Sequence, residues 1–559
     1  MPKVTIGVDF GTLAARAVVA DVRDGGVLAS AVHAYAHGVM ERALPGGQAL
    51  PPGWALQHPA DYLEALERTV VRALRESGAR AQDVIGIGTD FTSCTALPVR
   101  GDGTPLCLLP AFKGHPHAYV KLWKHHAAQP YADRMNALAQ ERGEVWLPRY
   151  GGKISSESCL PKLWQVAAEA PEVLDAMDCW IEAADWIVWQ LTGTRTRNAC
   201  SAGYKALYSK RDGYPSEAFL LAADPVLAQA AREKAFGPVS ALGDRAGVLT
   251  REMAERLGLR PGTAVCTGNV DAHVCVPAAG IVGPGKLLAI MGTSTCHMLL
   301  SPLAVPVPGI SGMVEDGILP GCYGYEAGQS CVGDHFAWVT QHLCPQAYAE
   351  RAKAEGVDLH QLLTGLASRL RPGESGLLAL DWWNGNRSIL SDADLTGLLV
   401  GMTLGTRVEE IYRALIEATA YGTRVIVGQY KKSGLAVDAY YASGGISRKN
   451  ALAMQIYADV LNMPVHVVGA EHGPALGSAI FAAVAAGGAA GGYADIYEAA
   501  GRMGDRSART FEPAAADARV YDALFEQYRL LHDRFGRDWD VMKRLKEIQT
   551  GCAEREGAQ

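Results

Sequence analysis

Read for the spacing of its apolar and polar positions, the chain resolves into three kinds of segment. The first is a short apolar run that stops at glycine and small polar residues: VTIGVDFGT at 4–12, VIGIGTDFTS at 84–93, VCTGNVDA at 265–272, LLAIMGTST at 287–295 and YYASGGIS at 440–447. Such runs predict buried strands, each ending at a tight turn that exposes backbone. The second is the 3–4 periodicity of an amphipathic helix. In DYLEALERTVVRALRES at 61–77, Leu63, Leu66, Val70 and Leu74 fall on one face. Residues 406–431 follow the same pattern, as do 448–461, for which Ser447 is the expected N-cap. The third is polar, aromatic-rich sequence, densest between about 110 and 215, which reads as connection.

The order of these pieces repeats. VTIGVDFGT leads into ARAVVADV, and a later helix precedes VIGIGTD; in the second half LLAIMGTST leads into CHMLLS, and the helix at 406–431 precedes AYYASGG. The halves begin about 280 residues apart and share element order rather than letters. A duplicated α/β domain is therefore expected, with units at 1–283 and 284–505, the turn-rich GIVGPGK at 280–286 near the join, and a helical tail at 506–559. A length of 559 residues, too great for one core, agrees with two large units.

Composition narrows the partners. A net charge of −7 gives no sign of the basic face that nucleic acid requires. Twelve scattered cysteines without a C-x-x-C pair fit reduced thiols in a cytoplasmic protein rather than a disulfide or zinc scaffold. The longest uncharged stretch, 473–494, contains six glycines and much alanine, so it reads as a buried small-residue helix and turn, not a membrane span.

Several phosphate and catalytic signatures fail. Gly280 to Lys286 approximates a P-loop, but Leu287 stands where a hydroxyl is needed, and an apolar strand follows in place of a helix. Neither G-x-G-x-x-G, H-E-x-x-H nor G-x-S-x-G occurs. Other motifs survive. Asp9 ends a strand and is followed by a Gly-Thr turn whose N–H groups and hydroxyl suit phosphate oxygens, while its carboxylate suits Mg²⁺ held through water. Gly292, Thr293 and Ser294 form a hydroxyl-rich turn at the corresponding place in the second half. Asp271 in NVDAH, again at a strand end, is suited to accept a proton from an attacking hydroxyl; a helix N-cap or a salt bridge is its blander reading. His273 reads as a supporting residue. The Gly444-Gly445 turn lets a flat ring approach backbone, with Asn450 following it.

Taken in order, DFGT, NVDAH, GTST, SGGIS and PALGSA resemble the FGGY family of carbohydrate kinases, over roughly residues 3–545. The resemblance implies an actin-like (ribonuclease H-like) ATPase fold in two domains, ATP and a sugar in the cleft between them, Mg²⁺, and a homodimer. Longer runs, GTDFTSCTALP at 88–98, LWKHHAAQ at 122–129, YGGKISSE at 150–157 and GYEAGQSCVGD at 324–334 among them, resemble the members that phosphorylate L-ribulose. By motif position the resemblance makes Asp271 the catalytic base. It assigns Asp9, Gly11, Thr12 and Arg16 to the first phosphate turn, Gly292, Thr293 and Ser294 to the second, and Gly333 to the γ-phosphate. Gly444, Gly445, Asn450, Ala475 and Gly477 are expected around adenosine, and Ser93, Trp123, Lys205 and Glu326 around the sugar. One departure stands out: Ala14 occupies a place where the family commonly has serine. A kinase of D-ribulose, xylulose or a polyol, and a nucleotide-binding sensor without sugar transfer, are the competing readings.

Overall fold

The computed structural model describes residues 3–505 and 507–557. The apolar runs become the strands of two sheets. The first is built from β1 (Val4–Phe10), β2 (Ala14–Asp21), β3 (Val27–Ala34), β4 (Val84–Phe91), β5 (Arg245–Val248), β6 (Ala264–Cys266) and β7 (Asn269–Val270). Its order is β3-β2-β1-β4-β6-β5, with β7 also pairing β4. The second contains β8 (Lys286–Met291), β9 (Thr295–Ser301), β10 (Gly312–Glu315), β11 (Tyr323–Gln329), β12 (Ala439–Ser443), β13 (Val465–Val468) and β14 (Ser507–Phe511). It runs β10-β11-β9-β8-β12-β13-β14.

The two sheets carry the same plan. In each, the first strand pairs antiparallel with the second and parallel with a later one: β1 with β2 and β4, β8 with β9 and β12. Each also carries an antiparallel strand outside the last parallel one, β5 beside β6 and β14 beside β13. The repeat seen as element order is a repeat of sheet topology. The segment after 505 accordingly opens as a strand of the second sheet, before the helices Ala515–Asp533 and Val541–Gly557, so it is not wholly helical.

Three further departures from the sequence reading have local causes. Helix α1 (Pro59–Ser77) buries Tyr62, Ala65, Leu66, Thr69, Val70 and Ala73, leaving Leu63 and Leu74 half-buried at the margin. The stripe is rotated because small residues allow α1 close approach to β2 and β3. Helix α5 (Ala451–Leu461) is capped by Asn450, whose Oδ1 accepts from the Ala453 N–H at 3.0 Å. Ser447 is not that cap: it lies inside the short helix Gly445–Lys449, and its hydroxyl donates to the Gly444 carbonyl. The stretch at 110–215 is more than connection, since Trp146, Trp164 and Trp180 pack with Trp54 and Leu56 into a core of their own. Beside it, strands Leu56–Gln57, Ala96–Val99, Val120–Lys121 and Cys179–Glu182 make a four-stranded sheet.

Two helices join the sheets. α2 (Asp271–Ala278) follows β7 directly, and α6 (Gly473–Ala486), from the second half of the chain, lies on β1 and β4 of the first sheet and on α2. Glycine makes this approach possible: a Cβ on Gly7 would sit 1.8 Å from the Ala475 carbonyl oxygen, and one on Gly88 2.2 Å from that of Ser478. Among the described residues, no helix is long and apolar enough to cross a membrane.

Candidate active site

Three strand ends gather three carboxylates. Register places Asp9 on β1 directly beside Asp90 on β4, and Asp90 beside Asn269 on β7. Two residues on, Asp271 opens α2, its Oδ1 accepting from the Ala272 N–H at 2.7 Å. Burial pushes all three carboxyls up. Asp90 rises well above the usual range, with the Asp9 charge adding to burial. Asp9 rises although the Arg16 guanidinium lies 3.9 Å away. Asp271 is pushed up to about 7, by burial first and then by Asp9. Carboxylates this close cannot all ionise without a compensating cation. A hard divalent ion held through water suits the Asp9 carboxylate, and the Asp90 Oδ1 on the neighbouring strand is buried without a hydrogen-bond partner.

Above these carboxylates stand the two glycine turns. Gly11 donates its N–H to the Ala14 carbonyl, and Gly292 donates to that of Ser294, so both hairpins close through backbone. The Ala14 side chain is therefore not needed to form the first turn. Thr12 accepts from the Trp123 indole at 3.2 Å, which ties a residue expected at the sugar to one expected at the phosphates. Gly333 donates to the Gly292 carbonyl at 3.0 Å, and a Cβ there would approach that oxygen to 2.7 Å, so the loop after β11 is pinned to the second turn. Gly444, at φ 102°, ends β12 against the Met291 carbonyl, 2.4 Å from where its Cβ would be. A Cβ on Gly445 would meet nothing within 4 Å.

A cavity of about 600 Å³ runs from Trp123, Glu157 and Lys205 to Thr293, Ser294 and Arg387. Lys205 is buried 3.7 Å from Glu326, itself buried, and the His273 ring lies 3.6 Å from the same carboxylate. Burial would raise the Glu326 carboxyl, but Lys205, Arg387 and His273 outweigh it and hold it down at about 2. His273 thus supports Glu326, and its ring centroid lies 4.3 Å from that of Tyr204, tilted by 49°. Ser93 is half-buried just beyond the end of β4, beside Cys94, whose carbonyl accepts from the Lys162 ammonium. Lys162 also donates to the Leu122 carbonyl, next to Trp123.

Two of the residues expected around adenosine have a packing role in this fold. Ala475 is fully buried, and a Cβ on Gly477 would meet the Val274 carbonyl at 2.1 Å, so both serve the packing of α6 on β1 and α2. Their small size answers to backbone approach and not to a ring in the cleft. Asn450 spends its carbonyl oxygen on the cap of α5. The sequence reading missed Asp90, Glu157 and Arg387. Asp90 had a signal, since VIGIGTD places it as VTIGVD places Asp9; Glu157 closes the quoted run YGGKISSE; Arg387, in an irregular segment, had none.

Comparison with known proteins agrees with this geometry. Xylulose kinases from Rhodospirillum rubrum (TM-score 0.75, 24% identity, 95% of this chain and 98% of that one) and Lactobacillus acidophilus (TM-score 0.78, 17% identity, 96% and 99%) share the fold. Among sequence relatives, a ribulokinase from Bacillus licheniformis is 55% identical over 539 residues, covering 96% of this chain and 98% of the relative. One from Geobacillus thermodenitrificans is 54% identical with 99% of both chains covered, and one from Mycolicibacterium smegmatis is 50% identical, covering 99% and 98%. Residues 4–276 match the N-terminal domain, and 287–486 the C-terminal domain, of the FGGY family of carbohydrate kinases, and the chain belongs to that family.

Proposed function

We propose that this chain transfers the γ-phosphoryl group of ATP to L-ribulose, and to D-ribulose as a second acceptor, giving the 5-phosphate in the breakdown of L-arabinose. The observation that carries the chemistry is Asp271, a strand-end carboxyl raised to about 7 beside Asp9. A base poised near the working pH can take a hydroxyl proton as the bond to phosphorus forms. The choice of sugar rests on the relatives named as ribulokinases at 50–55% identity.

In this reading Lys205 and Glu326 offer a donor and an acceptor to the sugar hydroxyls, and Trp123 and Ser93 complete its wall. Asp271 takes the proton of the terminal hydroxyl, whose oxygen attacks the γ-phosphorus in line as ADP departs. The N–H groups and hydroxyls of Thr12, Thr293 and Ser294 hold the phosphates, on turns that the N–H groups of Gly11, Gly292 and Gly333 close through backbone; Gly444, Gly445 and Asn450 border the adenosine. A bound Mg²⁺ supplies charge neutralisation on the phosphates, and Asp9 would hold it through water. Closing the cleft excludes water, the competing acceptor. A cytoplasmic homodimer belongs to the same reading.

The test is Mg·ATP with L-ribulose, D-ribulose, L-xylulose, D-xylulose and glycerol, alongside Asp271→Asn. Ribulose phosphorylation that falls by about 10²–10⁴ in the variant, with ATP binding kept, is the expected result. Preference for xylulose or glycerol would replace the substrate; ATP turnover indifferent to every sugar would favour a nucleotide switch.

A further inference from the structure

The sugar end of the cleft holds four charges in alternation. Going round, Lys205 lies 3.7 Å from Glu326, Glu326 is 2.6 Å from Arg387, Arg387 is 3.9 Å from Glu157, and Glu157 is 4.0 Å from Lys205. Each carboxylate sits between two cations, so the ring is neutral as a whole, as a site for an uncharged sugar should be. Its origin is split. Glu157 and Lys205 fall in the N-terminal family domain, Glu326 and Arg387 in the C-terminal one. Only the Arg387–Glu326 edge is a hydrogen bond, from Nη2 to Oε1. The two edges that cross between domains, at 3.7 and 3.9 Å, are ion pairs without that contact.

Two details say what Arg387 does. By occupying Oε1 it turns the other oxygen of Glu326 toward Lys205 and His273. That Oε2 is buried and ion-paired with Lys205 but accepts no hydrogen bond, and neither His273 nitrogen makes one. A buried carboxylate oxygen without a hydrogen bond gains when a donor arrives, and a sugar hydroxyl is such a donor. Arg387 is also clamped in place: its Nη1 reaches the Cys296 sulfur at 3.6 Å, and its side chain packs where a Cβ on Gly328 would be, at 2.9 Å. Nearby, Lys153 donates to the Ser391 carbonyl at 2.8 Å and Gly309 to that of Gly151 at 3.1 Å, so the Glu157 loop is docked on the loops that flank Arg387.

We propose that Arg387 is a positioning residue that aims Glu326 at the sugar, and that Glu157 is its partner across the cleft, the pair latching the two domains over a bound sugar. The inference rests on the proposed sugar-kinase reading and adds two residues to it. Charge-assisted hydrogen bonds of this kind are directional, so an arginine here is not equivalent to any apolar residue of its size. Glu157 also borders Lys205, but it crosses between the domains toward Arg387, and its removal leaves the guanidinium with one anion instead of two.

The experiment is steady-state kinetics of the full-length protein and four variants, Arg387→Met, Arg387→Lys, Glu157→Gln and the Glu157→Gln/Arg387→Met pair, on the pentulose the wild type phosphorylates best. Arg387→Met is expected to raise the sugar KM by at least about tenfold with the ATP KM within about twofold, and Arg387→Lys to recover part of the loss. Glu157→Gln should raise the sugar KM less, and the double variant should fall short of the product of the single effects. Should Arg387→Met fail to fold, Glu157→Gln, at a half-buried position, carries the test alone. A sugar KM unchanged in Glu157→Gln and Arg387→Met, sugar and ATP KM rising together, lysine no better than methionine, or strictly multiplicative effects would each overturn the proposal. Wild-type protein inactive on every pentulose would remove the sugar-kinase reading and this inference with it; an active wild type with unaffected variants removes the inference alone.

Discussion

Gly7 is the position where one methyl group should do most damage. It lies in β1, two residues before Asp9, under α6. A Cβ there would stand 1.8 Å from the Ala475 carbonyl oxygen and 2.6 Å from the Ala479 nitrogen. Both neighbours are helix backbone, so no side chain can swing aside, and α6 must retreat by about 1.5 Å to reach ordinary contact. Between those two residues is Ser478, whose hydroxyl donates to Asp90 Oδ2 at 2.5 Å. Retreat breaks that bond and leaves a buried carboxyl without its donor, at about 1–3 kcal/mol. Overpacking adds about 1–3 kcal/mol. For a domain of this size each kcal/mol moves Tm by about 2–4 °C, so Gly7→Ala should melt about 10 °C lower.

The assay is a thermal melt of Gly7→Ala, Gly86→Ala and Gly428→Ala, with sugar-dependent ADP production measured on each. Gly86→Ala should lose less, because its Cβ would stay 2.6 Å from the Ala482 oxygen. Gly428 lies in helix α4 (Val408–Lys432) with nothing within 4 Å of its Cβ, and alanine there should be neutral or stabilising by about 0.5–1 kcal/mol. Since Asp9 and Asp90 both sit at the disturbed seam, kcat should fall with Tm in Gly7→Ala. A melt within about 2 °C of wild type would refute the packing argument.

Other outcomes follow from the site. With Asp271 raised to about 7, kcat/KM should climb with pH to about that value and then level, because the protonated carboxyl cannot accept the hydroxyl proton. Asp90 is raised well above its ordinary 3.8, so the folded chain keeps a proton that the unfolded chain has released. Its contribution to stability therefore falls as pH rises above about 4, and Asp90→Asn should gain in Tm over wild type as pH goes from about 6 to 8. Lys162→Met strips the donor from the Cys94 and Leu122 carbonyls and should raise the sugar KM about tenfold, the ATP KM staying near wild type. Gly444→Ala, strained at φ 102° and pressed on the Met291 carbonyl, should show the reverse pattern, an ATP KM raised about tenfold.

Local chemistry decided which parts of this were legible. A strand that ends in Asp-x-Gly-Thr or Met-Gly-Thr-Ser advertises itself, because the period changes and the turn residues are few. Asp9, Asp271 and the two glycine turns stand out that way as candidates, and the repeat in element order foretold the repeated sheet. What depends on a neighbour distant in sequence was not legible. The PALGSA glycine looks like a ligand turn until Val274, 203 positions earlier, is seen to fill its Cβ space. Asn450 reads from sequence as a base-binding amide, and only the fold shows that its oxygen also caps α5 on the Ala453 N–H. Arg387 lies in an irregular segment with no periodicity to interrupt, and only the fold brings it to Glu326.

On the proposed reading the two halves divide the work, and the duplicated sheet supplies a physical reason. Counting back from the turn glycines, Asp9 in β1 corresponds to Ile290 in β8, since each stands two residues before its glycine, Gly11 or Gly292. Register then pairs Asp9 with Asp90 in the first sheet and Ile290 with Ser443 in the second. The same two places hold a buried pair of carboxyls on one side and an apolar residue with a hydroxyl on the other. Two facing acidic pairs would add further buried negative charge to a cleft meant for polyphosphate. Keeping one pair concentrates cation and proton handling at β1, β4 and β7. It leaves the second sheet's Gly444–Gly445 turn uncharged, as a flat, weakly polar base requires. On the proposed reading, the asymmetry in four residues accounts for phosphoryl chemistry on the first half and nucleotide binding on the second.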